Sequence, residues 1–319
     1  EVRMKKALLF FIIFPLYLWA QPLKISVEYN VHSLPAFVAF KKGLYEKNGL
    51  KVKRIDSYIT GVALVSAMTK GDVDVAYLCL APAVLAFSNA GLKIKIVDQT
   101  HLYGFSVLVN PERIKRVEDL KREGLKIAVP REGTMSDLLF NYALRKSLLH
   151  PHALKNARRM NPPLALIALK KGEADVAFLP EHWGSLGEGW GLKVILSAYH
   201  IWLGMPGSVI VVKEELLKKE PSLYERLRSI TQTSIAFIKE NPQQSEKLML
   251  EALTEIIPVE VFDRGLFLPS QEVIRRAILR CEYQEGLDVK KIREVIQFMN
   301  KLGYLRKVPK PEELLFKIS

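Results

Sequence analysis

Cysteine is scarce: the 319-residue chain has Cys79 and Cys281 and no others. They stand far apart with no ligand spacing, so neither supports a zinc site, although a single disulfide stays open. For Cys79, at the end of a buried strand, the plain reading is a small apolar thiol. No Ser-His-Asp signature, HExxH or glycine-rich phosphate loop occurs, so the sequence leads us to expect no enzyme, catalytic set, metal or cofactor. Acidic residues are the minority, 34 Asp and Glu against 47 Lys and Arg, for a formal net charge of +13. The basic residues are interspersed with Glu, as in KEELLKKEPSLYERLR, and form no block or aromatic-interleaved stripe. A solvated surface and no nucleic-acid partner are the expectation.

Long apolar runs are missing except at the N-terminus. Ala7 to Trp19 is apolar, but it is short for a bilayer span and broken by Pro15. Met4-Lys5-Lys6 precedes it and Ala20 follows it, ahead of Gln21-Pro22. This reads as a signal segment over residues 1–20, with Glu1 to Arg3 an over-called start and the mature chain exported to a periplasm. Leu18 is large for a cleavage site, which leaves an uncleaved anchor as the alternative. No cysteine follows the run, so lipid attachment is not expected.

What the chain has is an internal echo. KGDVDVAYL at 70–78 returns as KGEADVAFL at 171–179, with six of nine positions identical. In each copy an apolar-periodic run leads to Lys-Gly and then to a short apolar burst, the pattern of helix, glycine stop and buried strand. LKISV at 23–27 likewise returns as LKIAV at 125–129, GLKI at 91–94 as GLKV at 191–194, and SVLV at 106–109 as SVIV at 208–211. Two copies of about a hundred residues imply two α/β lobes and no solenoid. At 49% hydrophobic and 25% charged, the chain can bury two cores.

Strands are expected at 24–29, 50–55, 73–78, 93–98, 105–109, 125–129, 157–160, 174–179 and 208–212, alternating with helices, and the tail should be helical over 221–240, 242–253, 270–280 and 289–302. Crossings between lobes are placed at His101 to Gly104 and at Trp202 to Gly207. The expected division is therefore 21–103 plus 206–319 for lobe 1 and 104–205 for lobe 2. Ligands of open α/β sheets lie beyond the carboxyl ends of the strands, so two facing lobes place both sets of ends on one cleft.

The candidate lining turns are 30–33, 58–61, 79–82, 131–136 and 180–183. Within them the ligand-binding candidates are Asn30, His32, Ser33, Tyr58, Thr60, Gly61, Leu80, Ala81, Arg131, Gly133, Thr134, Met135, Ser136, Glu181 and Trp183, with Tyr103 added from the crossing. Asn30 or Ser33 equally suits a helix cap. The turn 131–136 enters a helix whose first N–H groups lack intrahelical partners and whose dipole favours an anion. Thr134 and Ser136 add hydroxyls, and Arg131 adds charge. Against this, Asp137 can satisfy the dipole by itself. Glu181 suits a ligand amine, and Tyr58, Tyr103 and Trp183 suit a flat ring.

The signal segment, LKISVEYN, TGVALVSAMTKGDVDVAYLCLAP, the connector VNPERIKRVEDLKREGLKIAVPREGTMSDLL and KKGEADVAFLPEHWG together resemble the nitrate/sulfonate/taurine (NMT1/THI5-like) group of ABC-transporter substrate-binding proteins, over about residues 23–310. The resemblance implies an α/β type II periplasmic-binding-protein fold with two lobes joined by two crossing strands. It also implies a monomer that closes on a small-molecule solute and delivers it to an ABC permease with its cytoplasmic ATPase. A small anion or zwitterion such as nitrate, a sulfonate or taurine is the expected cargo. The alternatives are a thiamine-type pyrimidine or other aromatic heterocycle, a biosynthetic enzyme on the same scaffold, and a sensor module.

Overall fold

Alternation of short β-branched runs with glycine-stopped helices produces two five-stranded sheets in the computed structural model, which describes residues 22–261 and 263–316. The signal segment lies outside the described residues. The strands are β1 (Ile25–Glu28), β2 (Ile55–Tyr58), β3 (Val75–Cys79), β4 (Ile94–Gln99), β5 (His101–Tyr103), β6 (Phe105–Val109), β7 (Ile127–Val129), β8 (Ala157–Arg159), β9 (Val176–Pro180), β10 (Lys193–Ser197), β11 (Ser208–Lys213) and β12 (Cys281–Tyr283).

One sheet runs β2-β1-β3-β11-β4 and the other β8-β7-β9-β6-β10. The two orders are the same once each strand is replaced by its echo. In both, three strands are parallel and the last two are antiparallel to their neighbours. The fourth strand is exchanged. SVLV in β6 follows the first sheet's β4 in sequence yet pairs with β9, while SVIV in β11 follows β10 and pairs with β3 and β4. The echo is therefore a repeat of topology, with the chain passing between sheets twice.

The helices answer to their local sequence. Gly61–Lys70 is capped by Thr60, whose Oγ1 accepts the Ala63 N–H, and stops at Gly71 with φ +90°. Met135–Arg145 is capped by Thr134, and Pro162–Lys170 by Asn161 with proline in its first turn. The expected tail helices appear as Ser222–Glu240, Pro242–Glu255, Gln271–Leu279 and Val289–Lys301. Among the described residues no helix is long and apolar enough to cross a membrane.

Three expectations shift. The strand placed at 50–55 lies at Ile55–Tyr58, because its partner begins only at Ile25 and the preceding stretch offers the sheet a single bond, Leu23 N–H to the Lys51 carbonyl. The connector segment VEDLK, expected within the alternating helices, forms only a 3₁₀ turn, Val117–Lys121. The tail also contains a strand that the sequence did not signal: β12 pairs antiparallel with β5 in the first crossing. Beside it, helix Gln271–Leu279 packs on Trp183–Gly189 of the second sheet's layer and on Pro242–Glu255 of the first.

Alternate residues of the central strands feed different faces. Val75 and Tyr77 join one apolar cluster with Ala177 and Leu179, whereas Ala76 and Leu78 join the other with Val176 and Phe178. Apolar packing thus runs from sheet to sheet on both faces. At the crossings the backbone approaches closely enough to require glycine. A Cβ on Gly104, at φ +82°, would lie 2.6 Å from His32 Nε2 and 2.8 Å from Cys281 Sγ, and one on Gly207 would lie 2.1 Å from His101 Cε1. Gly207→Ala is therefore expected to destabilise the fold by about 1–3 kcal/mol through overpacking, whereas Gly91→Ala, which meets nothing within 4 Å, carries only the strain of its φ of +65°. Denaturant melts of the two variants check the ranking.

Candidate functional site

Where the carboxyl ends of the two sheets face each other, the chain encloses a narrow cavity of about 30 Å³. The first sheet and its loops contribute Glu28, Asn30, Ile59, Thr60, Gly61 and Cys79; the second contributes Pro130, Thr134, Met135, Ser136, Pro162 and Pro180, with Phe105 from the crossing. The walls differ in chemistry. One presents a carboxyl group, an amide and a thiol, and the other presents three prolines around a helix N-terminus.

Glu28 closes β1 and is only 6% exposed. Its Oε2 accepts the Cys79 N–H at 3.2 Å and the Cys79 thiol at 2.9 Å. The Asn30 side chain and the Gly61 N–H also hydrogen-bond to it. Two helices, Gly61–Lys70 and Leu80–Asn89, begin at these donors, so the chain's own acid occupies a place that helix termini make attractive to anions. Burial still dominates and raises the Glu28 pKa. Glu28 was not foreseen. The available signal was an acid ending the apolar run LKISVE, where the second copy has Pro130.

Of the expected residues, Asn30, Thr60, Gly61, Thr134, Met135 and Ser136 are brought together at this cavity. Asn30 also accepts the His32 N–H at 3.0 Å, and the Ser33 hydroxyl donates to the Asn30 carbonyl at 2.6 Å. Thr134 acts as a cap, donating to the Arg131 carbonyl at 2.8 Å and accepting the Asp137 N–H at 3.3 Å. Asp137 does answer the helix start, since it accepts the Gly133 N–H and pairs with Arg159 at 2.5 Å. Ser136 is 2% exposed and belongs to the first turn, whose N–H groups have no partner within the helix.

The others lie elsewhere. Arg131 is exposed and lines a separate groove with Leu85, Asn89, Glu132 and Arg306, because the chain turns outward before Gly133. Gly133 sits under Leu85. Leu80 and Ala81 are fully buried in the apolar core, and Tyr58 lines an outer groove with Asp56 and Asp72. Tyr103 accepts the Gly204 N–H at 3.0 Å and packs on Tyr199.

Glu181 is fully buried, held by the Ser106 hydroxyl, by the Ser185 N–H and hydroxyl at 3.1 and 2.7 Å, and by Arg280 at 3.4 Å. Arg280 also pairs with Glu188 at 2.9 Å, which ties the tail to the second sheet's layer. Trp183 is fully buried against Tyr29, His182 and Phe267.

Behind the cavity, at the crossings, buried imidazoles meet. His32 lies 4.2 Å from His101, centroid to centroid, and its Nε2 bonds the Gly104 carbonyl at 2.7 Å. His101 Nε2 accepts the Ser208 N–H at 3.0 Å. Burial lowers all three buried histidines: His32 well below the usual range, His101 to about 4 and His182 to about 3.

Two five-stranded α/β sheets that face each other at their strand ends have the architecture of the periplasmic-binding-protein fold. The chain belongs to the NMT1-like family, whose model matches residues 20–249. It is 26% identical over 211 residues to the taurine-binding periplasmic protein of Escherichia coli, covering 64% of this chain and 63% of that protein. It is 23% identical over 273 residues to the nitrate import ATP-binding protein NrtC of Synechocystis, covering 80% of this chain and 39% of that one. The chain thus spans less than two thirds of either curated relative. It shares its fold with the zinc-bound ligand-binding component of an ABC-type import system from Staphylococcus aureus, at TM-score 0.77 and 18% identity, over 93% of this chain and 96% of that one.

His182 gives a test of this buried environment. Among the described residues, neither of its buried ring nitrogens has a hydrogen-bond partner. Folded, it takes a proton only near pH 3, whereas the unfolded chain takes it near 6.5. Between those values unfolding binds a proton, so acid favours the unfolded chain. His182→Phe removes both costs and is expected to raise Tm, by more at about pH 5 than at about pH 8. Equal shifts at the two pH values would contradict the assigned burial of a neutral ring.

Proposed function

We propose that this chain is the solute-binding component of an ABC-type importer, exported by the segment 1–20 to work in the periplasm as a monomer. In this reading lobe 1 comprises 21–103 and 206–319, lobe 2 comprises 104–205, and they close on a small anionic or zwitterionic solute for delivery to a permease with a cytoplasmic ATPase. The observation that carries it is the cavity formed by the strand ends of both sheets. Similarity to a nitrate import ATP-binding protein and to a taurine-binding periplasmic protein supports the same class of cargo.

The cavity walls favour a zwitterion over a bare anion. An acid group suits the helix start at Met135 and Ser136, and an ammonium suits Glu28, which takes the part first given to Glu181. None of Tyr58, Tyr103 and Trp183 lines the cavity, so stacking of a flat ring gains no support from their positions.

Calorimetry on metal-free protein should find taurine bound more tightly than ethanesulfonate or nitrate. Glu28→Gln should weaken taurine by roughly tenfold or more, the loss of a charge-assisted hydrogen bond. Arg131→Ala should leave it within about twofold, roughly 0.4 kcal/mol. Ethanesulfonate binding as well as taurine, with Glu28→Gln silent, would reject the ammonium assignment. X-ray scattering should show compaction with saturating solute, and N-terminal sequencing of the native protein should begin near Gln21.

A further inference from the structure

Glu28, His32 and Cys79 bring a carboxylate oxygen, an imidazole nitrogen and a sulfur within 4.8 Å of one another, all buried. We propose that these three side chains bind a zinc-class divalent cation at the lobe 1 wall of the cavity. Cys79 Sγ stands 3.8 Å from His32 Nδ1 and 2.9 Å from Glu28 Oε2. Tetrahedral zinc, with Zn–S near 2.3 Å and Zn–N near 2.0–2.1 Å, separates sulfur and nitrogen ligands by about 3.5 Å. The S–N pair is already close to this spacing, and the S–O pair opens by roughly 0.6 Å when metal replaces the S–H···O hydrogen bond.

The tautomer needed is set by the crossing. His32 Nε2 lies 2.7 Å from the Gly104 carbonyl and, as donor, leaves the Nδ1 lone pair facing Cys79. A second-shell bond of this kind holds metal-ligating histidines in place. The other ligands supply charge. On binding, the Cys79 proton passes to solvent, and thiolate plus carboxylate balance the two charges of the ion. Without metal, burial and the Glu28 charge both oppose the Cys79 thiolate; a cation reverses that balance. Glu28 and Cys79 also line the cavity, so the fourth position faces it and water or an anionic group can complete the coordination; the ion and the ammonium assigned to Glu28 in metal-free protein therefore exclude each other.

A neighbouring group, His32, His101 and Cys281, is the weaker candidate. His32 Nε2 is committed to the Gly104 carbonyl, and His101 spends Nε2 on Ser208 N–H and Nδ1 on the Leu102 carbonyl. Sequence spacing could not reveal the first group, because Glu28 ends β1 and His32 follows in the 3₁₀ turn Val31–Ser33, whereas Cys79 ends β3, about fifty residues on.

The experiment titrates chelator-treated full-length protein with Co²⁺ and then with Zn²⁺. We expect one Co²⁺ per chain with tetrahedral visible bands and a thiolate-to-cobalt charge-transfer band, both displaced by Zn²⁺. Cys79→Ser should abolish the charge-transfer band and weaken Zn²⁺ by at least roughly 100-fold, the upper end of what losing a mere supporting partner costs. Glu28→Gln should weaken Zn²⁺, and Cys281→Ser should leave band and affinity unchanged. Absence of the band in the wild type overturns the site, as does its loss in Cys281→Ser or its survival in Cys79→Ser. Should Cys79→Ser fail to fold, the wild-type and Cys281→Ser spectra still decide. Solute binding is measured without metal, so failure of the metal site and failure of the importer reading show up separately.

Discussion

Neither sheet is complete without a strand that the chain delivers from the other side. β6 fills the fourth place beside β9, and β11 fills it beside β3. Each supplies backbone donors and acceptors to a central strand that would otherwise present an open edge in the interior, where unpaired peptide groups are costly. This exchange forces two crossings, and the crossings bring Gly104, Gly207, His32, His101 and β12 into one buried neighbourhood. Cleft, cavity and crossing are thus consequences of one hydrogen-bonding requirement.

Within that frame, Glu28 sets the electrostatic character of the cleft. Helix starts are ordinarily free to hold an anion, and the first sheet spends its donors on an internal carboxylate. The second sheet has Pro130 at the corresponding strand end; there Asp137 and Thr134 take the Gly133 and Asp137 N–H groups, and the Met135 and Ser136 N–H groups of the first turn are left toward the cavity. Sequence symmetry between the halves therefore becomes chemical asymmetry across the cavity, an acidic wall facing a wall of dipole ends and prolines.

The two-sheet fold was legible because its signals are local and occur twice. Glycine stops, caps such as Thr60 and Asn161, and short apolar strands recur in order, and the order of the echo matches the order of the sheets. The cavity was only partly legible. Strand-end logic located Asn30, Thr60, Gly61 and the turn Thr134 to Ser136, since backbone position alone puts them there. It failed to separate side chains that enter the cavity from those that turn away, which depends on the local path of each loop. Arg131 leaves by one residue's reach, and Glu181 is drawn to Arg280, a residue a hundred positions downstream. β12 was hidden in a three-residue segment, CEY, whose partner strand is also only three residues long.

Gly133 gives the cleft a further property. Its φ of +81° and its bare Cα let the Leu85 side chain rest where a Cβ would come within 2.2 Å. The two layers approach there as closely as a missing methyl permits, so the spacing of the walls is fixed partly by an atom the chain does not carry. In the proposed solute-binding role, selectivity for solute size can then drift without any change among the groups that touch the solute. A bulkier residue at 133 or a slimmer one at 85 would reset the distance between an unchanged acid and an unchanged helix end.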